Sequence, residues 1–521
     1  MSFSLRSVRL AGILVLCAGS LLHAWRGFGS RERFGHALGI DDAFISFRYA
    51  AHLRADDGLV FNVGERVEGY SNLLFTLLLS PFAEGEPTLR LWRIAIGLGL
   101  LAAIWVLWQL PQLLDVSTAA SSHRWMLLLW AFCPQLWLWV ASGMETACFC
   151  AIQFAIWLCV VQWERSDRAG TRWRLVLALG AAICMRADGF VSAGIALAYV
   201  FWRRRAALFW AGAPLICLLG ALFLWRFAYY GAWLPNTYHA KVTGGIAARV
   251  GTALPMLADI LIDEGLLPHL LALLLLAWSQ RKAKLSFAPY FALALLAYWI
   301  YVGGDNMRAR FLLILYPMGA WALITLLEGH RRRRNFVLAC ALAMQLHALV
   351  SDKRFDYRQP HYDHWVELGR FLRREHPDAT LAIDAAGKVP WFSQLHCIDM
   401  LGLNDAHIAR TESRRFVPGH SKHDAAYVLS RQPDLIATWA TGRSAPPDLA
   451  FGLSRELYEP AGYRPRYFVS RPPQPAGRPS ILDLWGAPTA DIEQALRSGY
   501  SYVVLQREGA WARSDSLPTG H

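Results

Sequence analysis

The sequence predicts a polytopic α-helical membrane protein of about eleven spans with a C-terminal soluble α/β domain. Three observations carry that expectation. Of 521 residues, 55% are hydrophobic and 17% charged, where a soluble domain has about a quarter of its residues charged. The mean hydropathy is +0.27. The net charge of +13 sits in short basic runs between apolar segments, which is the positive-inside pattern and argues against a nucleic-acid partner. From about Ser351 onward the composition becomes that of a soluble chain.

The first span is expected over Leu10–Trp25. It resembles a signal peptide, but no Ala-x-Ala-type cleavage site follows, so it is read as retained. Arg6 and Arg9 before it place the N-terminus in the cytoplasm and the next loop outside. Tyr70–Phe82 is apolar, but its roughly 13 residues reach only about 20 Å of a ~30 Å hydrocarbon core. Counting it as a span would put the Arg165/Arg168/Arg172/Arg174 loop outside, so a short, partly inserted outer helix is expected there. Alternation then gives Leu91–Leu110, Trp125–Ala141, Ala147–Trp163, Leu175–Met185, Phe190–Trp202, Ala206–Tyr229, Leu266–Trp278, Phe287–Val302, Phe311–Leu327 and Phe336–Val350. The Leu175–Trp202 hairpin is short and should turn below the outer surface, with Arg186 and Asp188 inside the protein. The 23 Trp residues are expected at the lipid–water interfaces.

The expected domains are residues 1–350, with a catalytic outer loop at 26–70, and a periplasmic domain at 351–521. In the latter, Thr380–Asp384, Asp434–Thr438 and Tyr500–Gln506 read as strands, and Ala490–Ser498 has helical spacing. His361, His364 and His376 show no ligand pattern and are expected at the surface, and the Ser514–His521 tail is expected to be disordered. Eight of the nine Cys fall in or near apolar spans, with no metal-type CxxC pair and no GxGxxG or Walker motif. No nucleotide cofactor is expected.

With this topology every polar motif that is not simply basic falls on the outer side. Asp41-Asp42 is the first. Adjacent carboxylates repel, so one can have a raised pKa suited to base work. One of the two is also expected to cap the helix that follows. Alternatively the pair can hold a divalent cation with Glu68 or another acid. Arg48, Tyr49, Glu68 and Asn72 follow in the same loop. Glu145 stands at a helix start, Arg186 and Asp188 in the hairpin turn, Asn236, His239 and Lys241 on a long outer loop, and Asp305, Arg308 and Arg310 after Gly303-Gly304. Carboxylates and cations on one side of a membrane suit group transfer from a lipid-borne donor. A carboxylate takes the acceptor's hydroxyl proton or stabilises an oxocarbenium-like centre, and cations hold the leaving phosphate. Outside the cytoplasm such a donor is typically a polyprenyl phosphate. A transporter of lipid-linked saccharides is the alternative, but it should show internal repeats and midplane charges, and the sequence shows no repeat.

Asp41-Asp-Ala-Phe-Ile-Ser-Phe-Arg-Tyr49, Gly58-Leu-Val-Phe-Asn62, Gly64-Glu-Arg-Val-Glu-Gly-Tyr-Ser-Asn72, Ser142-Gly-Met-Glu-Thr146, Arg186-Ala-Asp-Gly189, Leu234-Pro-Asn-Thr-Tyr238 and Gly303-Gly-Asp305 together resemble the GT-C membrane glycosyltransferases. Within these the match is to the mycobacterial terminal (β-1,2) arabinofuranosyltransferases and their Gram-negative relatives. Ile398-Asp399-Met-Leu-Gly-Leu-Asn404 with Ile408-Ala-Arg410 resembles that group's C-terminal domain, and no match extends beyond Arg410. Arg186-Ala187-Asp188 departs mildly from the group's Arg-Pro-Asp. The resemblance implies a GT-C fold, a polyprenyl-phosphate sugar donor, arabinofuranose as the sugar, and catalysis at Asp41-Asp42. It also implies residence in the bacterial inner membrane. The acceptor it leaves open: an envelope glycan, a lipopolysaccharide or a pilin-type protein.

Overall fold

The computed structural model describes residues 4–26, 39–114, 119–241, 244–282, 285–355, 363–413, 416–417, 421–471, 474 and 478–509. His361 and the Ser514–His521 tail lie outside them.

The chain begins with helix α1 (Leu5–Arg26), α2 (Asp41–Arg54) and α3 (Leu73–Leu79). There follow α4 (Arg90–Gln109), α5 (Ala120–Ala131), α6 (Pro134–Ala141), α7 (Thr146–Arg165), α8 (Ala169–Met185) and α9 (Gly189–Arg203). Next come α10 (Ala213–Tyr230), α11 (Asn236–Lys241), α12 (Ile246–Asp263), α13 (Leu267–Ser279), α14 (Phe287–Val302), α15 (Leu315–Leu326) and α16 (Arg331–Ser351). This is a polytopic helical membrane fold. Among the described residues five helices are long and apolar enough to cross a membrane. The pair α12 and α13 qualifies together but is bent by 109°.

Most of the expected spans coincide with helices, and the exceptions have local causes. The expected Trp125–Ala141 span is broken into α5 and α6 at Cys133-Pro134, where proline opens a new helix because it cannot continue the old one. The outer loop before Leu266 contains the helix α12, whose Gly251 and Pro255 weaken the sequence signal. Tyr70–Phe82 is a short helical segment as expected. The tryptophans divide: Trp130, Trp139, Trp157 and Trp299 are fully buried in the core, while Trp25, Trp173, Trp202 and Trp278 are exposed. The interfacial expectation fails for the first group, whose rings fill space between helices.

The C-terminal α/β part opens with α17 (His364–Glu375) and continues β1 (Thr380–Ile383), α18 (Lys388–Ser393), β2 (His396–Asp399), α19 (Ala425–Ser430) and β3 (Leu435–Trp439). It ends with α20 (Arg455–Tyr458), β4 (Tyr463–Val469), β5 (Ile481–Asp483), α21 (Thr489–Arg497) and β6 (Tyr502–Arg507). The strand order is β2-β1-β3-β6-β4-β5. β1 runs parallel to β2 and β3, and β6 is antiparallel to β3 and β4. Alternation along each strand builds two faces. Leu381, Ile383, Leu435, Ala437, Tyr502 and Val504 face α17 and the outer loop of the membrane part. Ala382, Ile436, Val503 and Leu505 face α19, α20 and α21. His364 and His376 are buried, contrary to the surface expectation, because α17 is sandwiched on the sheet.

Helix α2 belongs to both parts. Phe44 and Phe47 sit in the core of the helical bundle. Ile45 and Tyr49 sit in the core beneath the sheet. Apolar side chains at i, i+3 on one face and i, i+4 on the other, with every residue from Ala43 to Ala50 buried, suit a wedge between two cores.

Candidate active site

Helix α2 starts without a side-chain cap at Ile40, and Asp41 and Asp42 form its first turn. The expectation that one of them caps the helix is therefore corrected. Both still gain from the positive end of the helix dipole. The start is pinned by the Ile40 N–H, which donates to the Ser142 carbonyl at 3.0 Å. The carboxylates then diverge. Asp41 Oδ1 accepts from the Lys388 backbone N–H at 2.7 Å and Oδ2 from Gly387 N–H at 3.0 Å. Burial raises its pKa to about 6 in spite of these bonds. Gly387 is required here, because a Cβ on it would lie 1.9 Å from the Asp41 carbonyl oxygen.

Asp42 makes no such bond among the described residues. Its charge acts on Lys241, together with those of Arg310, Asp305 and Arg186. Lys241 has accessible surface, yet surrounding protein atoms lower its pKa.

Behind Lys241 lies a paired network. Arg186 donates through Nη1 to Glu145 Oε1 at 2.9 Å and through Nε to Asp188 Oδ1 at 2.8 Å. Its guanidinium carbon is 4.5 Å from the Phe311 ring centroid and 5.2 Å from that of Phe149. Arg186 and Glu145 are both buried, so the hairpin turns inside the protein. Glu145 Oε2 accepts from Asn72 Nδ2 at 2.9 Å, and Asn72 Oδ1 accepts from Ser46 Oγ at 3.0 Å. That chain of bonds returns to α2 one turn beyond Asp42. Arg310 Nε donates to Asp305 Oδ2 at 2.9 Å. Gly303 and Gly304, at φ +97° and +82°, turn the chain from α14 into this pair.

The remaining predicted residues lie elsewhere. Arg48 spends its donors on the carbonyls of Phe61 at 2.6 Å, Pro390 at 2.6 Å and Leu395 at 2.7 Å. The Tyr49 hydroxyl donates to Val67 O at 2.7 Å and accepts from Gly69 N–H at 2.8 Å. Asn236 Nδ2 donates to the carbonyls of Gly402, Leu403 and Asp405. Arg48 and Asn236 thereby tie α2 and α11 to the C-terminal part, while Tyr49 holds the loop at Val67 and Gly69. Glu68 pairs with Arg226 at 2.9 Å, and burial raises its pKa to about 7. A cation site shared by Asp41, Asp42 and Glu68 does not assemble, and no three His, Cys, Asp or Glu among the described residues are grouped to hold a metal ion. The pKa of His239 is lowered by burial and by Arg410 and Lys422. Arg308, at φ +58°, points away toward Asp263 and Glu264 at 3.9 and 3.8 Å.

Residues 354–479 match a family described as a domain of unknown function, DUF8728. The terminal β-(1→2)-arabinofuranosyltransferase of Mycobacterium tuberculosis is 27% identical over a match covering 60% of this chain and 56% of that protein. The chain thus spans just over half the length of the curated relative. Among solved structures, ArnT from Cupriavidus metallidurans bound to undecaprenyl phosphate superposes with a TM-score of 0.54 at 12% identity, over 96% of this chain and 98% of that one. Its apo state gives 0.55 at 12% identity, over 95% and 97%. The chain has the GT-C fold. In this GT-C chain the sequence motifs locate the acids and cations of the cluster but miss what holds them. Lys388 and Asp363 carry no motif, and Gly387 is visible in the sequence only as a glycine after a strand.

Proposed function

We propose that the protein transfers a sugar, arabinofuranose, from a polyprenyl phosphate to a hydroxyl of an envelope acceptor at the outer face of the bacterial inner membrane. The observation that carries this reading is the charge cluster in which Asp42, Asp305, Arg310 and Arg186 all act on Lys241, with Arg310 paired to Asp305 at 2.9 Å. Asp41 is occupied by two backbone donors, which leaves Asp42 as the general base. Its carboxylate takes the acceptor's proton as the acceptor oxygen bonds to the anomeric carbon and the bond from that carbon to phosphate breaks. Lys241 and Arg310 hold the departing phosphate. Glu145, Arg186, Asp188 and Asn72 form the wall and contact the donor sugar. Arg48, Tyr49, Asn236 and Glu68 position the loops, and His239 and Arg308 stand at the margin.

The reading includes eleven spans, a membrane part at 1–350 and a periplasmic part at 351–521. It is supported by the confinement of every described strand to residues 380–507. It is also supported by basic residues at the helix ends remote from the cluster: Arg165, Arg203 and Arg331. The acceptor is an envelope glycan, a lipopolysaccharide or a pilin-type protein. The transporter alternative finds no support among the similar proteins.

The test is transfer from radiolabelled polyprenyl-phosphoryl arabinose to envelope acceptors in membranes containing the protein. Transfer by the wild type and its loss in Asp42→Asn are expected. A wild type that transfers no label, with the protein present and folded, sinks the proposal.

A further inference from the structure

The junction between the two parts holds an ammonium with no access to water, that of Lys388, at 0% exposure. A buried ammonium is costly and persists only when paired and hydrogen-bonded. Here Nζ donates to Asp363 Oδ2 at 2.6 Å and to the Gly39 carbonyl at 2.9 Å. It also lies 5.6 Å from the Phe44 ring centroid. The backbone N–H of the same residue holds Asp41 Oδ1. One residue of the C-terminal part therefore grips the outer loop at two points, a carbonyl and a carboxylate two positions apart. From the other side, membrane helices close on the same turn. Ser142 O binds Ile40 N–H at 3.0 Å, and a Cβ at Gly39 would meet Trp92 Nε1 at 2.6 Å. Asp42 is the next residue along, and its charge acts on Lys241.

We propose that Lys388 is a positioning residue for the reaction. By clamping Gly39 and Asp41 it fixes the direction in which Asp42 presents its carboxylate, so the C-terminal part governs turnover without touching either substrate. This rests on the transfer reading above for its effect on rate, and on geometry alone for the clamp.

The test uses the full-length protein with Lys388→Met and Asp363→Asn combined. Both charges leave together, so neither is stranded, and asparagine retains the capping oxygen that α17 uses at this position. A single melting transition near that of the wild type is required first. Turnover should then fall at least tenfold while KM for the donor stays within about twofold. In parallel, Asp42→Cys is labelled with a maleimide, over the background of the native cysteines, with and without the double substitution. The labelling rate should change severalfold when the clamp is removed. An unchanged rate overturns the clamp whatever the transfer assay shows. A loss confined to KM also overturns it, since Lys388 would then belong to a binding surface. If the wild type transfers nothing, the functional reading fails, and the labelling still decides the clamp.

Discussion

Two adjacent aspartates have opposite surroundings, and the difference predicts opposite phenotypes. Asp42→Asn removes the proposed base and should lower transfer by about 10²–10⁴-fold with little change in melting temperature. Asp41→Asn can satisfy one of the two N–H donors at most and sets its own amide against the other. It should cost about 1–3 kcal/mol of stability, read as a lower melting temperature. Arg186 makes the strongest case for stability among the wall residues. Arg186→Met strands Glu145 and Asp188, and loss of one partner from a buried ion cluster costs about 3–5 kcal/mol. Equal melting of wild type and Arg186→Met would contradict the network described here.

Helix α2 shows what was legible in the sequence and what was not. Asp41, Asp42, Glu145, Arg186, Lys241 and Asp305 stand out because charge beside apolar segments is costly, and cost leaves a signature in any single sequence. The spans stand out for the same reason. What holds Asp41 does not, because its partners are backbone N–H groups, which every residue but proline has. The role of Arg48 is not legible either, because an arginine looks the same in sequence whether it binds phosphate or, as here, carbonyl oxygens. Strands β2, β4 and β5 were missed: β2 and β5 are only four and three residues long, and β4 carries Arg464, Pro465 and Arg466 with a bulge at Pro465/Tyr467. The contact of α18 with α2 predicts that Gly387→Ala is not a neutral change. The added methyl meets backbone rather than a movable side chain. A loss of about 1–3 kcal/mol is expected, with transfer falling in proportion to the displacement of Asp42.

Across the whole molecule, the seam between helices and sheet is lined by acids that burial holds on to their protons. Glu68 and Asp384 are raised to about 7, and Asp399 to about 6. An acid raised in the folded state stabilises less as pH climbs from its unfolded to its folded value. For Glu68 that window runs from 4.5 to about 7. His364, lowered to about 4 by burial, works in the opposite sense, so the contribution must be isolated by substitution. Glu68→Gln should gain on the wild type by up to about 3 kcal/mol between those pH values and hold the gain above them. A pH-independent difference in melting temperature between the two would refute this. Reporter fusions after residues 165, 203 and 331 should report the cytoplasm, and one after residue 507 the periplasm.

The Arg48 bonds to Pro390 and Leu395 span 342 and 347 residues of chain. Synthesis runs at about 5–20 residues per second, so α2 waits roughly 20 to 70 s after leaving the ribosome before its partners exist. During that interval a guanidinium and a carboxylate destined for burial stand unclaimed at the membrane surface. The first turns of α2 therefore mature only after Pro390 and Leu395 have been made. Chains cut short before the sheet would carry Asp42, Lys241, Asp305 and Arg310 and still leave the proposed base without the Lys388 contact at Asp41.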